Sequence, residues 1–259
     1  MTVSVVIPSY NEDRVIAKCI SSLVTQTKKC EIIVVDDGST DKTQSILSEI
    51  QIPNFKFQIL KQVHHGPGAA RNRGVKESNG EILVFVDSDM TFAPDFIEKL
   101  IKPIELGESK GTFTKEECVV NWGNIWARCW NFNLNLTDNR RIPNNYPDTA
   151  PVFRAILKKE FLRVGGFTEG VGWTDDWSLA KKLGYQSSAT NAICYHANPE
   201  TLFEAFNQAR WIGKNEFLSK SFVHIAFNTL KYSLPISVFV GFIIAARQIV
   251  LPVYSFKEA

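Results

Sequence analysis

No C-x-x-C pair occurs in the chain, and its five cysteines (Cys19, Cys30, Cys118, Cys129, Cys194) are odd in number and far apart. That excludes a zinc ribbon or a dithiol exchange site and predicts reduced core thiols in a cytoplasmic protein. An excess of one charge sign is also lacking. Lys plus Arg number 29 against 27 Asp plus Glu, too balanced for a general polyanion binder, so nucleic acid is not an expected partner. The N-terminus has no basic segment followed by a long apolar one, which argues against a signal peptide and for a cytoplasmic location. Internal repeats and low-complexity tracts are missing too. What remains is 259 residues with 44% hydrophobic content, enough for one large α/β domain or two small ones.

The first hundred residues alternate β-branched runs with helical spacing, the pattern of βαβ units in a parallel sheet. Strands are predicted at Val3–Ile7, Glu31–Val35, Phe57–Leu60 and Glu81–Val86. Helices are predicted around Val15–Leu23 and over Asp41–Ile50, Ala69–Ser78 and Pro94–Ile104. Each strand ends in a polar or glycine-rich loop, the edge at which open parallel sheets bind ligands. Residues 107–148, rich in Asn, Trp and Gly, give no readable strand. Within them Trp122, Trp126 and Trp130 recur at i, i+4, i+8, one face of a helix. Such a stripe reads as core; its alternative is a shelf for an acceptor or lipid headgroup. Regular patterning returns with a strand at Pro151–Leu157, a helix at Lys159–Val164, a helix capped by Thr174, and a strand over Ser187–Tyr195 ending at His196.

Four loops carry candidate chemistry. Asp87 and Asp89, at i and i+2 after a strand, can offer two carboxylates to one Mg²⁺ or Mn²⁺ ion. Alone, such a pair also fits a solvated turn. The Asp36-Asp37-Gly38-Ser39 turn can hydrogen-bond a nucleobase or ribose. Gly66-Pro67-Gly68-Ala69-Ala70-Arg71-Asn72-Arg73-Gly74 opens a helix with small residues and two arginines, suited to an anion. Asp175-Asp176 adds a spare acidic pair. Together they compose a nucleotide-diphosphate site with a general base.

Val3–Glu12 (VSVVIPSYNE), Val34–Asp41 (VVDDGSTD), Gly68–Asn72 (GAARN) and Val86–Asp89 (VDSD) resemble, in order and spacing, the inverting family 2 glycosyltransferases. The likeness covers about the first 105 residues and returns over Arg154–Trp211. It implies an α/β fold of the GT-A type, a mostly parallel central sheet with helices on both faces, to which the apolar C-terminal run adds a helical tail. It implies a catalytic domain over 1–215, with a nucleotide-binding half (1–105) and an acceptor-binding half (106–215). On the nucleotide-sugar side it points to Pro8, Tyr10, Glu12, Asp37, Gly68, Arg71, Asp87 and Ser88. Asp87, Asp89 and His196 fall at the metal, with Mg²⁺ or Mn²⁺ as cofactor. Gly165–Leu179 is similar to the segment carrying the family's base and leaves Asp176 and Asp175 as candidates, because Asp175, Ser178 and Lys182 depart from the usual residues. Asn207–Trp211 is similar to the acceptor motif of processive members, with Asn207 in place of a glutamine, and Trp173, Arg210 and Trp211 are the expected acceptor contacts. The implied partners are a nucleotide-diphospho-sugar donor and a saccharide or lipid-linked acceptor. Alternatives are a sugar-phosphate nucleotidyltransferase, a glycoside hydrolase, or a non-catalytic glycan- or lipid-binding module.

Residues 216–259 form a separate expectation. From Arg210 onward six basic residues face two acidic ones, a net +4 that leaves −2 for the preceding 209 residues. Tyr232–Ala246 carries no charge and Tyr232–Phe256 only Arg247. The shorter run spans about 22 Å as a helix against a hydrocarbon core of about 30 Å. The tail therefore predicts attachment to the cytoplasmic face of a membrane, as an interfacial helix or a short span. A helix pair packed on the catalytic domain is the soluble alternative.

Overall fold

In a strand, successive side chains alternate between faces, so an uninterrupted apolar run needs cover on both. The computed structural model meets that requirement. It describes residues 1–53, 55–170 and 175–216, the last range without the side chains of 175 and 211–216. The elements are β1 (Val3–Ser9), α1 (Ile16–Val24), β2 (Glu31–Asp36), α2 (Thr43–Glu49), β3 (Phe57–Lys61), α3 (Pro67–Glu77), β4 (Ile82–Phe85), β5 (Met90–Phe92), α4 (Phe96–Glu105), β6 (Gly111–Val119), α5 (Ile125–Asn133), β7 (Thr149–Ala150), β8 (Ala155–Leu157), α6 (Lys158–Arg163), α7 (Asp175–Leu183), β9 (Ser187–His196) and α8 (Leu202–Glu216).

The strands form one sheet in the order β3-β2-β1-β4-β8-β6-β9-β5, with β7 joined to β9. The first four run parallel. Beyond them β8 is antiparallel to both β4 and β6, and β9 is parallel to β6. On one face Val5, Ile7, Val34 and Val84 pack with Ile16, Ile20 and Leu23 of α1 and Phe96, Leu100 and Ile101 of α4. On the other, Val6, Leu83 and Phe85 meet Phe161, Phe167 and Leu179. Gly74 allows α3 to lie close on β1 and β2, since a Cβ there would stand 2.5 Å from Val6 Cγ1.

The chain divides into two compact units, one of residues 1–120 and 140–197, the other of 121–139 and 198–259. The whole sheet belongs to the first. In the second, α5 buries Ala127 and Asn131, and Asn198 Nδ2 donates to the Ala127 carbonyl (3.0 Å) and to Asn131 Oδ1 (2.7 Å). The boundary expected at 215 falls inside this unit, and the tail's apolar run lies outside the described residues.

Three expectations need correction. A strand, β6, crosses the region where none was readable. Its inward Thr112, Thr114 and Glu117 are polar and buried, so no apolar alternation marks it. The indole stripe is not core: Trp122 precedes α5 and Trp126 is exposed, because the buried face of α5 is the Ala127/Asn131 side. All five cysteines are free, but Cys129 is exposed rather than buried. Among the described residues no helix is long and apolar enough to cross a membrane.

Candidate active site

The C-terminal edges of β1, β2 and β4 bring three of the four motif loops together. Asp37, just past β2, is 2% exposed and gathers the 62–66 loop. Its Oδ1 accepts from Gln62 Nε2 (2.7 Å) and His65 N (2.9 Å), its Oδ2 from Gly66 N (2.8 Å), and His64 Nδ1 lies 2.9 Å from Oδ2. Gly38 makes this close approach feasible: its φ is +79°, and a Cβ would sit 2.9 Å from His64 N. His64 in turn stacks on Tyr10 at 4.1 Å between ring centroids. A half-exposed aromatic pair thus stands beside a buried carboxylate, an arrangement able to hold a flat heterocycle.

Behind it, α3 starts at Pro67, a residue pre-organised for the first helical position, and its first turn buries Gly68, Ala69, Ala70 and Arg71. Arg71 Nη2 reaches Asp87 Oδ1 at 2.7 Å and its Nη1 reaches Asp176 Oδ1 at 3.5 Å. The other oxygen of Asp87 accepts from Arg154 Nη1 at 2.9 Å. Burial opposes charge on Asp87, yet Arg154 and Arg71 hold its carboxyl well below the usual carboxylate range. Next along the helix, Asn72 exchanges two hydrogen bonds with Phe167 (Nδ2 to O, 3.0 Å; N to Oδ1, 2.9 Å). One helix therefore grips both the strand-end loops and the segment leading towards Asp176.

Asp89 lies in the turn after β4 rather than on the strand, and faces a different partner from Asp87. Its Oδ2 is 2.8 Å from His196 Nε2, and His196 Nδ1 is 2.9 Å from Glu117 Oε1. Burial works against a charged His196, but Asp89 and Glu117 outweigh it and push the ring up to about 9. Burial likewise opposes charge on Glu117, which its contacts with His196, Arg141 and Arg154 bring down to about 2. Glu12 is pushed up to about 8 by burial and by the charges of Asp89 and Asp87.

These features bear on a divalent ion. Among the described residues no group of three or more His, Cys, Asp or Glu side chains is placed to cage a metal. Asp89 and His196 nonetheless stand side by side, Oδ2 2.8 Å from Nε2, next to Glu12, whose carboxyl is pushed up first by burial and then by the charges of Asp89 and Asp87. Once the proton between them is displaced, the pair offers one oxygen and one nitrogen to an ion such as Mg²⁺ or Mn²⁺ that keeps few protein ligands and completes its shell with phosphate oxygens and water. Asp87, expected as a second ligand, has both oxygens on guanidinium groups instead.

The model of the family described as "Glycosyl transferase family 2" matches residues 4–161, the stretch that supplies Asp37, Arg71, Asp87, Asp89, Glu117 and Arg154. The chain belongs to glycosyl transferase family 2. GlyG, a glycosyltransferase of Streptococcus pneumoniae, is 34% identical over 202 residues, 68% of this chain and 63% of that protein. The chain spans between 15% and 35% of the length of four other curated relatives, among them GlyA of S. pneumoniae and EpsH of Bacillus subtilis. Among solved structures, residues 1–349 of S. aureus TarS in complex with UDP-GlcNAc superpose with a TM-score of 0.61 at 19% identity, over 85% of this chain and 68% of that one. GalNAc-T7 with UDP, GalNAc and Mn²⁺ gives 0.58 at 17%, over 76% and 44%. These likenesses show the fold, that of the GT-A transferases.

In this family 2 chain Pro8, Tyr10, Glu12, Asp37, Gly68, Arg71, Asp87, Ser88, Asp89, Asp176 and His196 all lie in the first unit. Arg210 is exposed on α8 of the second. Trp173 and Thr174 lie outside the described residues, as do the side chains of Asp175 and Trp211. Sequence reasoning missed Arg154, Glu117 and Arg141. Arg154 left a signal, a lone charge within the run Val152–Leu157. Glu117 and Arg141, whose Oε1 and Nε are 3.1 Å apart, left none.

Proposed function

We propose that the chain is an inverting glycosyltransferase that moves a sugar from a nucleotide-diphospho-sugar to a saccharide or lipid-linked acceptor. The observation that carries this reading is the Arg71 guanidinium, which brings Asp176 to the site of Asp87 although 89 positions separate the two carboxylates in the chain. The base of the donor belongs at Tyr10, Asp37 and the loop that Asp37 braces; its diphosphate belongs near the start of α3. The acceptor hydroxyl loses its proton to the Asp176 carboxylate, with Asp175 the other candidate, as its oxygen attacks the anomeric carbon. A single displacement of this kind leaves no covalent sugar–enzyme intermediate and inverts the centre. Arg71 is placed to offset charge on the departing nucleoside diphosphate. A bound Mg²⁺ or Mn²⁺ at Asp89 and His196 would supply further positive charge there.

Trp173, Arg210 and Trp211 are assigned to the acceptor, and the basic tail to the cytoplasmic face of a membrane. The UDP-GlcNAc complex of TarS makes UDP-sugars the first donors to try. Incubation with labelled UDP-, GDP- and dTDP-sugars plus Mg²⁺ or Mn²⁺ is expected to release nucleoside diphosphate. Formation of sugar 1-phosphate instead, the fragment left when the nucleoside monophosphate is the group transferred, would indicate nucleotidyl transfer and sink the reading.

A further inference from the structure

Two charged groupings flank the site. Asp176, Arg71 and Asp87 make up one; Glu117, His196 and Asp89 make up the other. Arg154 stands between them, with Nη1 at 2.9 Å from Asp87 Oδ2 and Nη2 at 3.8 Å from Glu117 Oε2. We propose that Arg154, acting with Glu117, is a positioning residue for sugar transfer: its planar fork fixes the Asp87 carboxylate and, through Glu117, the ring of His196, so that the nucleotide and metal ends keep one geometry. This inference rests on reading the pocket as the nucleotide-sugar site.

The placement of Arg154 is costly unless it is used. It precedes β8 in the middle of the sheet, where its backbone is held on both sides: its N–H donates to the Thr112 carbonyl (2.9 Å), and its own carbonyl accepts from Phe85 N (2.8 Å). Its side chain is 14% exposed, and its neighbours Phe153 and Ala155 are core residues. A buried ion pair is commonly no better for stability than apolar residues of similar volume, so folding alone does not account for an arginine here. The contacts explain the residue type. A guanidinium presents several donors in a rigid plane and serves two carboxylates at once, whereas an ammonium on a flexible stem is a single point charge. Glu117 transmits the constraint, because its Oε1 takes the Nδ1 side of His196 (2.9 Å) and turns Nε2 towards Asp89. A partner on the far nitrogen of a metal-binding histidine fixes the ring and its tautomer. Neither Arg154 nor Glu117 needs to touch the donor.

The test is calorimetric titration of UDP, GDP and dTDP onto the full chain, Arg154→Lys and Glu117→Gln, in Mn²⁺ and in EDTA. Glu117→Gln is expected to bind nucleotide in EDTA like the parent and to lose about 10- to 100-fold of the affinity that Mn²⁺ adds, the usual effect of removing an outer partner. Arg154→Lys is expected to weaken binding in both buffers, because Asp87 loses its fork. Melting temperatures check that each variant folds; if Arg154→Lys does not, Glu117→Gln still decides. Two folded variants that bind every nucleotide as the parent does, with and without Mn²⁺, would overturn the inference. A parent that binds none of the three would overturn the nucleotide-sugar reading itself, and this inference with it.

Discussion

Asp176 and Glu12 are carboxyl groups in one site with different surroundings, and each gives a separate test. Asp176→Asn keeps the shape and removes the proton acceptor. It is expected to lower kcat by about 10²- to 10⁴-fold, a larger effect than the loss of its ion pair with Arg71 has on donor binding or melting temperature; an unchanged kcat would remove Asp176 from the chemistry. Glu12 is pushed from 4.5 up to about 8, by burial first and by Asp89 and Asp87 next. Between those values the native protein keeps a proton that the unfolded chain has released, so stability must fall as pH rises through that window. His196, raised from 6.5 to about 9, adds a second loss at the upper end. In EDTA, the urea midpoint of the parent is therefore expected to drop between pH 5 and 8.5, and Glu12→Gln to drop less. Equal drops in the two proteins would show that Glu12 is not the source.

At the scale of elements, α3 has the most at stake. Gly74 lets it rest against Val6 and Val35, and the same helix carries Arg71 and Asn72. Gly74→Val overfills that contact and is expected to cost about 1–3 kcal/mol in chemical denaturation. It should also weaken nucleotide binding, because Arg71 moves with the helix. A stable variant with unaltered binding would show that α3 has room to shift. The parallel β3-β2-β1-β4 half and its helices were legible because both faces are apolar and each run is cut by a loop of Pro, Gly, Asp or Ser. The other half was not. β6 hides its inward face behind Thr112, Thr114 and Glu117, and β5 has only three residues. The site divided along the same line: Asp37, Arg71, Asp87 and Asp89 sit in motifs, whereas Glu117 and Arg141 acquire their roles only by meeting across distant strands.

For the whole molecule, the uneven distribution of charge gives the clearest test. The segment from Arg210 onward carries a net +4, and each basic residue near an anionic leaflet contributes about 1 kcal/mol. The full chain is expected to sediment with phosphatidylglycerol-containing vesicles more than with phosphatidylcholine ones, and less as salt is raised. Equal partitioning to both lipids at every salt concentration would sink the electrostatic part of the membrane proposal.

The chain leaves the first unit after Val120 and re-enters it at Arg140. Both ends of that excursion are fastened to one strand: Cys118 and Arg140 form an isolated antiparallel bridge, and Arg141 N donates to the Glu117 carbonyl at 2.8 Å. Exit and return thus nearly coincide, a geometry that tolerates exchange of what lies between. Residues 121–139 are in effect a plug-in cassette. Asn198, in the same unit, donates to Ala127 and Asn131, so any replacement would have to supply those two acceptors again.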